Sequence, residues 1–216
     1  MDKIKMLELF KGTGSQGKAG EALGILPSNI QSVDMVEKFN PTHLGNILDL
    51  DYTKLEVPDI ITASPPCETF SLLIATHKVK VRNYKTDMKP LTEKGRNGDQ
   101  VLFKTLEIIN YFLDKNPNLV YVIENPRGFM KKMECMKELP FMTEGWYSCY
   151  GTNYRKPTNF WSNRLLTLYS GKEKEKEVGT KLPPGNDLLS VLPRREDRYI
   201  IPHELCKSII TQLLKN

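Results

Sequence analysis

The chain has 216 residues, of which 39% are hydrophobic and 26% charged, so it can bury the core of one globular domain. We expect that single domain to cover residues 1–216. No apolar run reaches the length of a membrane span, and the N-terminus lacks the sections of a signal peptide, so neither a membrane partner nor export is expected. The net charge of +5 favours a polyanionic partner without identifying one.

Strands and helices alternate in the first half of the chain. Residues 4–10 are predicted to form an apolar strand that leads into a glycine-rich turn, and residues 18–23 a helix. A second strand over residues 30–33 ends on Asp34. A third over residues 59–63 leads into Ser-Pro-Pro-Cys at 64–67. Each predicted strand therefore ends at a polar, glycine or proline turn.

The second half begins and ends with an amphipathic helix. Apolar residues recur at three- and four-residue steps from Val101 to Leu113, and this helix is predicted to end before Asn116. Residues 120–123 then form a buried strand that ends at Glu124. Short aromatic strands are predicted over residues 146–150, 160–161 and 164–169, and a closing helix begins at about Pro202 and carries Leu205, Ile209 and Leu213 inward.

This order of elements predicts an α/β fold with a Rossmann-like sheet, mostly parallel and with an antiparallel C-terminal part. Ligands of such sheets bind at the carboxyl ends of the strands. Two stretches are predicted to leave the core. Residues 74–98 are rich in Lys and Arg and are expected to form a long mobile loop, and residues 171–187 a solvated one.

The four cysteines are too few and too scattered for a disulfide scaffold, and no pair has the Cys-x-x-Cys spacing of a zinc site. We expect reduced thiols, an intracellular reducing compartment and no metal. Cys67 is set apart because two prolines fix the backbone before it at a predicted strand end. It is interpreted as a nucleophile, with a buried packing cysteine as the alternative. Cys135, Cys149 and Cys206 are interpreted as packing residues.

The turn Gly-Thr-Gly-Ser-Gln-Gly at 12–17 has several interpretations. It matches the Gly-x-Gly-x-x-Gly pattern, in which backbone N–H groups approach a ligand at a helix N-terminus. A phosphate-binding loop is disfavoured because Ala19 stands where Ser or Thr is needed. Asp34 is placed to accept hydrogen bonds from the ribose of a nicotinamide dinucleotide or of S-adenosylmethionine. A tight turn without a ligand is the remaining alternative.

Glu124 follows an apolar strand and precedes Asn125 and Pro126. A carboxylate there is either an ion-paired structural group or an acid that burial keeps protonated near neutral pH. With the glycine turn, Asp34 and Cys67, it places groups for a cofactor, a nucleophile and an acid in chain order along one edge of the sheet.

These motifs resemble those of the DNA (cytosine-5) methyltransferases, specifically the short ones of phages and large DNA viruses. The resemblance spans nearly the whole chain: LELFKGTGS is similar to the family's first motif, SPPC to its nucleophile loop, IENP to its glutamate motif and YGTNYRKPTNFWSN to its arginine motif. Pro126 replaces the usual valine, and Asn46 stands where an Asp contacts the adenine amino group. The final helix, IPHELCKSI, lacks the Gly-Asn pair that usually precedes it.

The resemblance implies a methyltransferase that uses S-adenosylmethionine, yields S-adenosylhomocysteine and needs no metal. It implies that Cys67 adds to C6 of a cytosine flipped out of double-stranded DNA, while Glu124 bonds N3 and the exocyclic amine and C5 takes the methyl group. The resemblance also implies a cationic catalytic residue, which is expected to be Arg155. Lys156 is the alternative source of this positive charge.

Further site residues follow from the same resemblance. The residues expected to bind the cofactor are Phe10, Gly12, Thr13, Gly14, Asp34, Met35, Asn46, Ile47 and Pro65. Those expected to bind nucleic acid are Ser71, Lys78, Lys80, Arg82, Asn125 and Lys156. Residues 74–98 would clamp phosphates, although a merely solvated loop is the alternative. Residues 165–195 leave room for only a reduced target-recognition region.

Other functions are kept open. The same catalytic set would serve a flipped cytosine in RNA. Asn46 and the altered final motif are also compatible with a weakly active module that binds nucleic acid or cofactor. A nicotinamide oxidoreductase would explain the glycine turn but gives no role to Cys67 or Glu124. We expect a monomer that acts in the cytoplasm or in the nucleus of an infected host cell.

Overall fold

A computed structural model describes residues 1–76, 78–180, 182 and 196–215, the side chains of residues 76 and 196 excepted. In this part of the chain, seven strands form one sheet in the order β3-β2-β1-β4-β5-β7-β6. The strands are β1 (Met6–Leu9), β2 (Ile30–Asp34), β3 (His43–Leu44), β4 (Ile60–Ala63), β5 (Val120–Pro126), β6 (Phe141–Trp146) and β7 (Pro157–Ser162).

The strand directions confirm the predicted Rossmann-like sheet. β1 pairs in parallel with β2 and β4, and β2–β3 and β4–β5 are also parallel. β7 lies antiparallel between β5 and β6. The strand order reverses between β1 and β4, which is where a sheet of this kind opens a crevice at its carboxyl edge.

Helices cover both faces of the sheet. They are α1 (Ser15–Ala22), α2 (Glu93–Lys115), α3 (Glu134–Lys137), α4 (Lys172–Glu177) and α5 (His203–Lys215). Alternate strand residues point to opposite faces, so Leu7 and Leu9 pack in the cluster that contains α2, whereas Met6 packs in the cluster with α5. The interior of α5, with Leu205, Ile209 and Leu213, is buried as predicted.

Several local predictions are wrong. Residues 147–150 form a 3₁₀ turn, and residues 164–169 form no strand although their carbonyls bond β6. Residues 172–177, predicted to be a solvated loop, form α4, because the buried Glu175 anchors this short helix. β3 was not predicted, since a strand of two residues carries no periodicity.

The segment predicted to be a long mobile loop is partly ordered by buried groups. Its last residues belong to α2, which begins at Glu93 with Thr92 as its N-cap. Residues 81–91 fold back on themselves through backbone bonds, with Val81, Tyr84 and Met88 buried. His77 lies outside the described residues, as do 181 and 183–195 of the predicted target-recognition region.

Candidate active site

One cavity of about 490 Å³ opens at the carboxyl edge of the sheet, at the point where the strand order reverses. Its volume lies in the range of about 300–1,000 Å³ that is typical of small-molecule sites. Most of the lining comes from the ends of β1, β2, β4 and β5 and from the turns that follow them, with further residues from α2 and from the C-terminal half of the chain. The parallel strands thus bring together residues that are up to about a hundred positions apart in the sequence.

The glycine turn lies between β1 and α1 on one side of the cavity. Phe10 and Gly12 line it, and Thr13 and Gly14 complete the turn before α1. Gly12 and Gly14 have φ values of +48° and +70°, the left-handed region that favours glycine. Phe10 also has a positive φ, +60°, which is strained for a bulky residue. The backbone of the turn is therefore strained, and it lies directly beside the cavity.

Asp34 ends β2 and fixes the glycine turn. Its Oδ2 accepts from the Gly12 backbone N–H at 2.8 Å, and its Oδ1 accepts from Val36 N–H at 2.9 Å. Each carboxylate oxygen can accept a further hydrogen bond, so the side chain can still take hydroxyl donors of a ligand. An apolar wall next to this carboxylate is formed by Ile47 and by Met35, which is 70% exposed. An acid beside an apolar slot fits the ribose and base of a purine nucleoside.

Asn46 lies at the rim of the same slot. Its Oδ1 caps a 3₁₀ turn by accepting from Leu48 N–H at 3.1 Å. The remaining lone pair and the amide N–H groups are available to a ligand. The substitution of Asp by Asn therefore removes a charge from the slot while it retains an acceptor.

The nucleophile loop crosses the opposite side of the cavity. Cys67 and Pro65 both line it, directly after β4. Asn125, expected to contact nucleic acid, is 1% exposed and donates to Pro65 O at 2.9 Å. Asn125 therefore holds the loop that carries Cys67, and its buried side chain is not exposed to a nucleic acid. Burial and the neighbouring Glu124 raise the pKa of the Cys67 thiol, and Lys156 opposes them.

Glu124 lies at the base of the cavity, near the end of β5. Burial raises the pKa of its carboxyl above the usual value, and this effect outweighs Lys156 and hydrogen bonds from Ser64 and Tyr147. The raised pKa agrees with the interpretation of Glu124 as a buried acid better than with that of an ion-paired structural group.

Of Arg155 and Lys156, only Lys156 lines the cavity. Lys156 lines it beside Cys67 and Glu124, with its Nζ donating to Arg198 O at 2.9 Å. Arg155 instead makes a bidentate ion pair with the buried Glu175 of α4, at 2.6 to 2.9 Å. The expected catalytic Arg155 thus points away from the cavity, and its alternative, Lys156, points into it.

The expected nucleic-acid residues fall into two groups. Lys78 and Lys80 are exposed, and Ser71 is half-buried beyond Cys67. Arg82 is 1% exposed and its guanidinium bonds Asp99 at 2.5 Å and the carbonyl of Thr69 at 3.1 Å. A guanidinium enclosed in this way is not available to a phosphate. Arg82 is therefore a structural residue, which corrects its expected role.

Three further residues near the site were missed from the sequence. Glu8 lines the cavity from within β1 and is 4% exposed. Tyr147 bonds Glu124, and Glu175 holds Arg155. An acid inside the apolar run MLEL was a usable signal for Glu8, whereas nothing in the sequence sets Tyr147 or Glu175 apart from neighbouring aromatic and acidic residues.

Neither a membrane-spanning helix nor a metal-binding cluster is found among the described residues. None of their helices is long and apolar enough to cross a membrane. In the same part of the chain, no group of three or more His, Cys, Asp or Glu side chains is arranged to hold a metal ion.

Comparison with known proteins identifies two relatives. The chain is 30% identical over 164 residues to a protein of Frog virus 3 (isolate Goorha) described as a DNA (cytosine-5)-methyltransferase, and the match covers 74% of this chain and 71% of that one. It is also 30% identical over 156 residues to a type II methyltransferase of Methanocaldococcus jannaschii, covering 63% of this chain and 46% of the relative. The chain thus spans less than half the length of the archaeal relative.

Comparisons with solved structures and with family profiles contribute less to the assignment than these two relatives do. A DNA modification methyltransferase encoded within an E. coli prophage shares 13% identity and a TM-score of 0.48, over 74% of this chain and 46% of that one. No profile of a known protein family matches. The frog virus relative, matched over more than two thirds of its own length, decides the assignment. The chain belongs to the DNA (cytosine-5)-methyltransferase family.

Proposed function

We propose that this protein transfers a methyl group from S-adenosylmethionine to C5 of cytosine in double-stranded DNA, through a covalent adduct with Cys67. One observation carries the proposal: a single cavity joins a nucleoside-shaped slot, with Asp34 and Met35, to a cysteine, a buried glutamate and a lysine. A nicotinamide oxidoreductase would use the slot but leave these last three groups without a role.

The slot suits the cofactor. Asp34 would accept from the ribose hydroxyls, Met35 and Ile47 would pack on the adenine, and the glycine turn lets backbone approach the rest of the molecule. Bound there, S-adenosylmethionine supplies an electrophilic methyl group. Its position between the strand ends would direct that group towards the side of the cavity that holds Cys67.

The other half of the cavity suits an activated cytosine. The Cys67 thiolate would form a bond to C6, and Glu124 would hydrogen-bond N3 and stabilise the charge that develops on the ring. C5 then becomes nucleophilic and accepts the methyl group. Removal of the C5 proton by a base such as water, and elimination of Cys67, would restore the aromatic ring and the free thiol.

Lys156 supports this chemistry electrostatically. The pKa of the Cys67 thiol is raised by burial and by Glu124, so few thiolates form without help. A cation beside both groups favours the thiolate, which is the attacking species. Because a thiol in such a cavity cannot reach a base inside a duplex, the cytosine must be flipped out. The protein would act in the cytoplasm or nucleus of a cell, where DNA and the cofactor meet.

Tritium transfer tests the proposal. Purified protein is incubated with methyl-tritiated S-adenosylmethionine and unmethylated mixed-sequence duplex DNA, beside an RNA substrate, and retained label is counted. We expect label in DNA with the native protein and none with Cys67→Ala. Cys135→Ala is the matched control, because Cys135 is also a half-buried free cysteine but lies outside the cavity lining.

A trapping experiment tests the covalent step separately. With 5-fluorocytosine in the duplex, the fluorine at C5 cannot leave as the proton does, so the Cys67 adduct persists and is visible as a denaturation-resistant complex. Label in RNA alone would mean that RNA, and not DNA, is the substrate. No label in either polymer, with the cofactor still bound by calorimetry, would contradict methyl transfer and favour a binding module.

A further inference from the structure

The carboxyl group of Glu124 lies at the end of a chain of polar contacts that passes through Tyr147. Tyr147 follows β6 and is completely buried. Its hydroxyl donates to Oε1 of Glu124 at 3.3 Å, and Nζ of Lys156 donates to the same hydroxyl at 3.5 Å. The ammonium of Lys156 also lies 4.7 Å from the centre of the Tyr147 ring. One phenol therefore joins the cation and the acid of the site.

Packing alone does not require this arrangement. A phenylalanine would fill the same volume in the core cluster around Phe160 and Leu205. The hydroxyl is instead aimed at the one buried carboxyl that lines the cavity from β5. Tyr147 itself is not among the residues that line the cavity, so any effect on a substrate passes through Glu124 or Lys156.

We infer that Tyr147 is a positioning residue for methyl transfer, which fixes one carboxyl oxygen of Glu124 and transmits the charge of Lys156 to it. The inference rests on the proposed function. With Oε1 held by the phenol, the carboxyl group is kept in the orientation in which it would bond the cytosine. A carboxyl rotated away from this orientation would lose its contact with N3, where geometry decides how strongly the developing charge is stabilised.

The same contact sets how readily Glu124 ionises. Burial raises the pKa of Glu124, whereas Lys156, Ser64 and Tyr147 lower it. A hydrogen bond donated to a carboxylate stabilises its charged form, so removal of the phenol raises the pKa of Glu124. The other titratable groups that face this cluster are Cys67 from the loop after β4, Cys206 of α5 and Glu8 of β1, which acts on Cys206. Tyr154 acts on Tyr147 but not on Glu124.

Two substitutions with opposite effects test the inference. Tyr147→Phe removes the donor, and site-specific replacement of Tyr147 by 3-fluorotyrosine keeps it and makes it a stronger donor. For Tyr147→Phe we expect kcat about tenfold lower, as for loss of one hydrogen bond, with KM for DNA within about twofold. If protonated Glu124 is the active form, the alkaline limb of the pH–rate profile moves to higher pH in Tyr147→Phe and to lower pH in the fluorinated protein.

Tyr154→Phe is the matched control, because Tyr154 is a second buried tyrosine of the same cluster. It should leave kcat and the pH profile unchanged. If Tyr147→Phe behaves like Tyr154→Phe while the native protein labels DNA, the inference is wrong and the proposed function stands. If the native protein labels no DNA, the proposed function fails by itself.

A measurement that needs no turnover tests the role of Tyr147 separately from the proposed methyl transfer. Glutamate labelled with ¹³C at Cδ reports the titration of Glu124 by NMR, with Glu124→Gln to assign the signal. We expect the midpoint at higher pH in Tyr147→Phe and at lower pH in the fluorinated protein than in the native one. Identical midpoints in all three would overturn the coupling whether or not the protein methylates DNA.

Discussion

Glu8 is an ionisable residue in the middle of a strand whose four residues are all buried. Its Oε1 accepts from the Gln16 backbone N–H at 3.1 Å, at the first turn of α1. Burial raises the pKa of its carboxyl to about 7, although backbone hydrogen bonds from Gly17 and Gln16 oppose the change. Near neutral pH this residue therefore holds a proton in part of the molecules.

The raised pKa makes the stability of the ligand-free protein depend on pH. Between the unfolded value of 4.5 and about 7, the folded chain binds more protons at Glu8 than the unfolded chain does. The contribution of Glu8 to the free energy of unfolding therefore falls as pH rises through this window, by about 3 kcal/mol in total. Above about pH 7, Glu8 is ionised in the folded protein, and the burial of its charge lowers the free energy of unfolding.

Glu8→Gln should abolish this dependence. Relative to the native protein, we expect the variant to gain about 3 kcal/mol of unfolding free energy between pH 4.5 and pH 8, because the amide cannot ionise. Urea unfolding at several pH values measures it. The exposed Glu21→Gln on α1 is the control and should give a flat difference. A flat difference for Glu8→Gln as well would mean that Glu8 titrates in the folded protein as it does in water.

At the scale of elements, a buried arginine organises the segment after the nucleophile loop. Arg82 bonds backbone carbonyls of Thr69, Met88 and Gly95 and pairs with Asp99 of α2. Its guanidinium also lies 4.3 Å from the centre of the Phe70 ring. These contacts tie residues 69–70, 81–91 and the start of α2 together, and Phe129 N–H in turn bonds Phe70 O.

Arg82→Met should loosen all three pieces. Loss of one partner of a buried ion pair leaves Asp99 and several carbonyls without donors, and we expect a loss of about 3–5 kcal/mol in the free energy of unfolding. Urea unfolding measures the loss, and proteolysis should cut within residues 81–91. Lys85→Met, an exposed change in the same segment, should stay within about 0.5 kcal/mol of the native protein. Equal stability of both variants would show that Arg82 is dispensable.

The elements also mark how far the sequence predicts the structure. Periodicity predicted α5 and the part of α2 from Val101 to Leu113, because amphipathic helices repeat their apolar residues, whereas the first residues of α2 were assigned to a loop. Turn residues marked the ends of β1, β2 and β4. The strand expected over residues 146–150 failed because aromatic residues suit a buried turn as well as a strand. Residues 164–169 run beside β6 with too few backbone hydrogen bonds to form a strand. For the site, strand ends predicted which residues meet at the cavity. Whether Arg155 or Lys156 points into it depends on the tertiary pairing of Arg155 with Glu175.

At the scale of the whole molecule, the two edges of the sheet differ in role. The carboxyl ends of the parallel strands carry the cavity, and the first turns of α2 reach it through Asn97 and Val101. Lys78 and Lys80 lie in the exposed stretch between the nucleophile loop and α2. Lys3 precedes β1, and Lys115 ends α2 shortly before β5 begins, so both lie at the amino edge. A duplex that delivers a base to Cys67 would pass near the first pair and far from the second.

This asymmetry gives a test with two variants that lose the same amount of charge. Each phosphate contact contributes a slope of about −0.9 to the plot of log K against log salt for duplex DNA. The double variant Lys78→Gln/Lys80→Gln should therefore flatten the slope by about 1.8, whereas Lys3→Gln/Lys115→Gln, with the same loss of two charges, should leave it unchanged. Fluorescence anisotropy between low and moderate salt measures both. Equal flattening in the two variants would mean that DNA responds to the overall charge of +5 and that the carboxyl edge holds no phosphate site of its own.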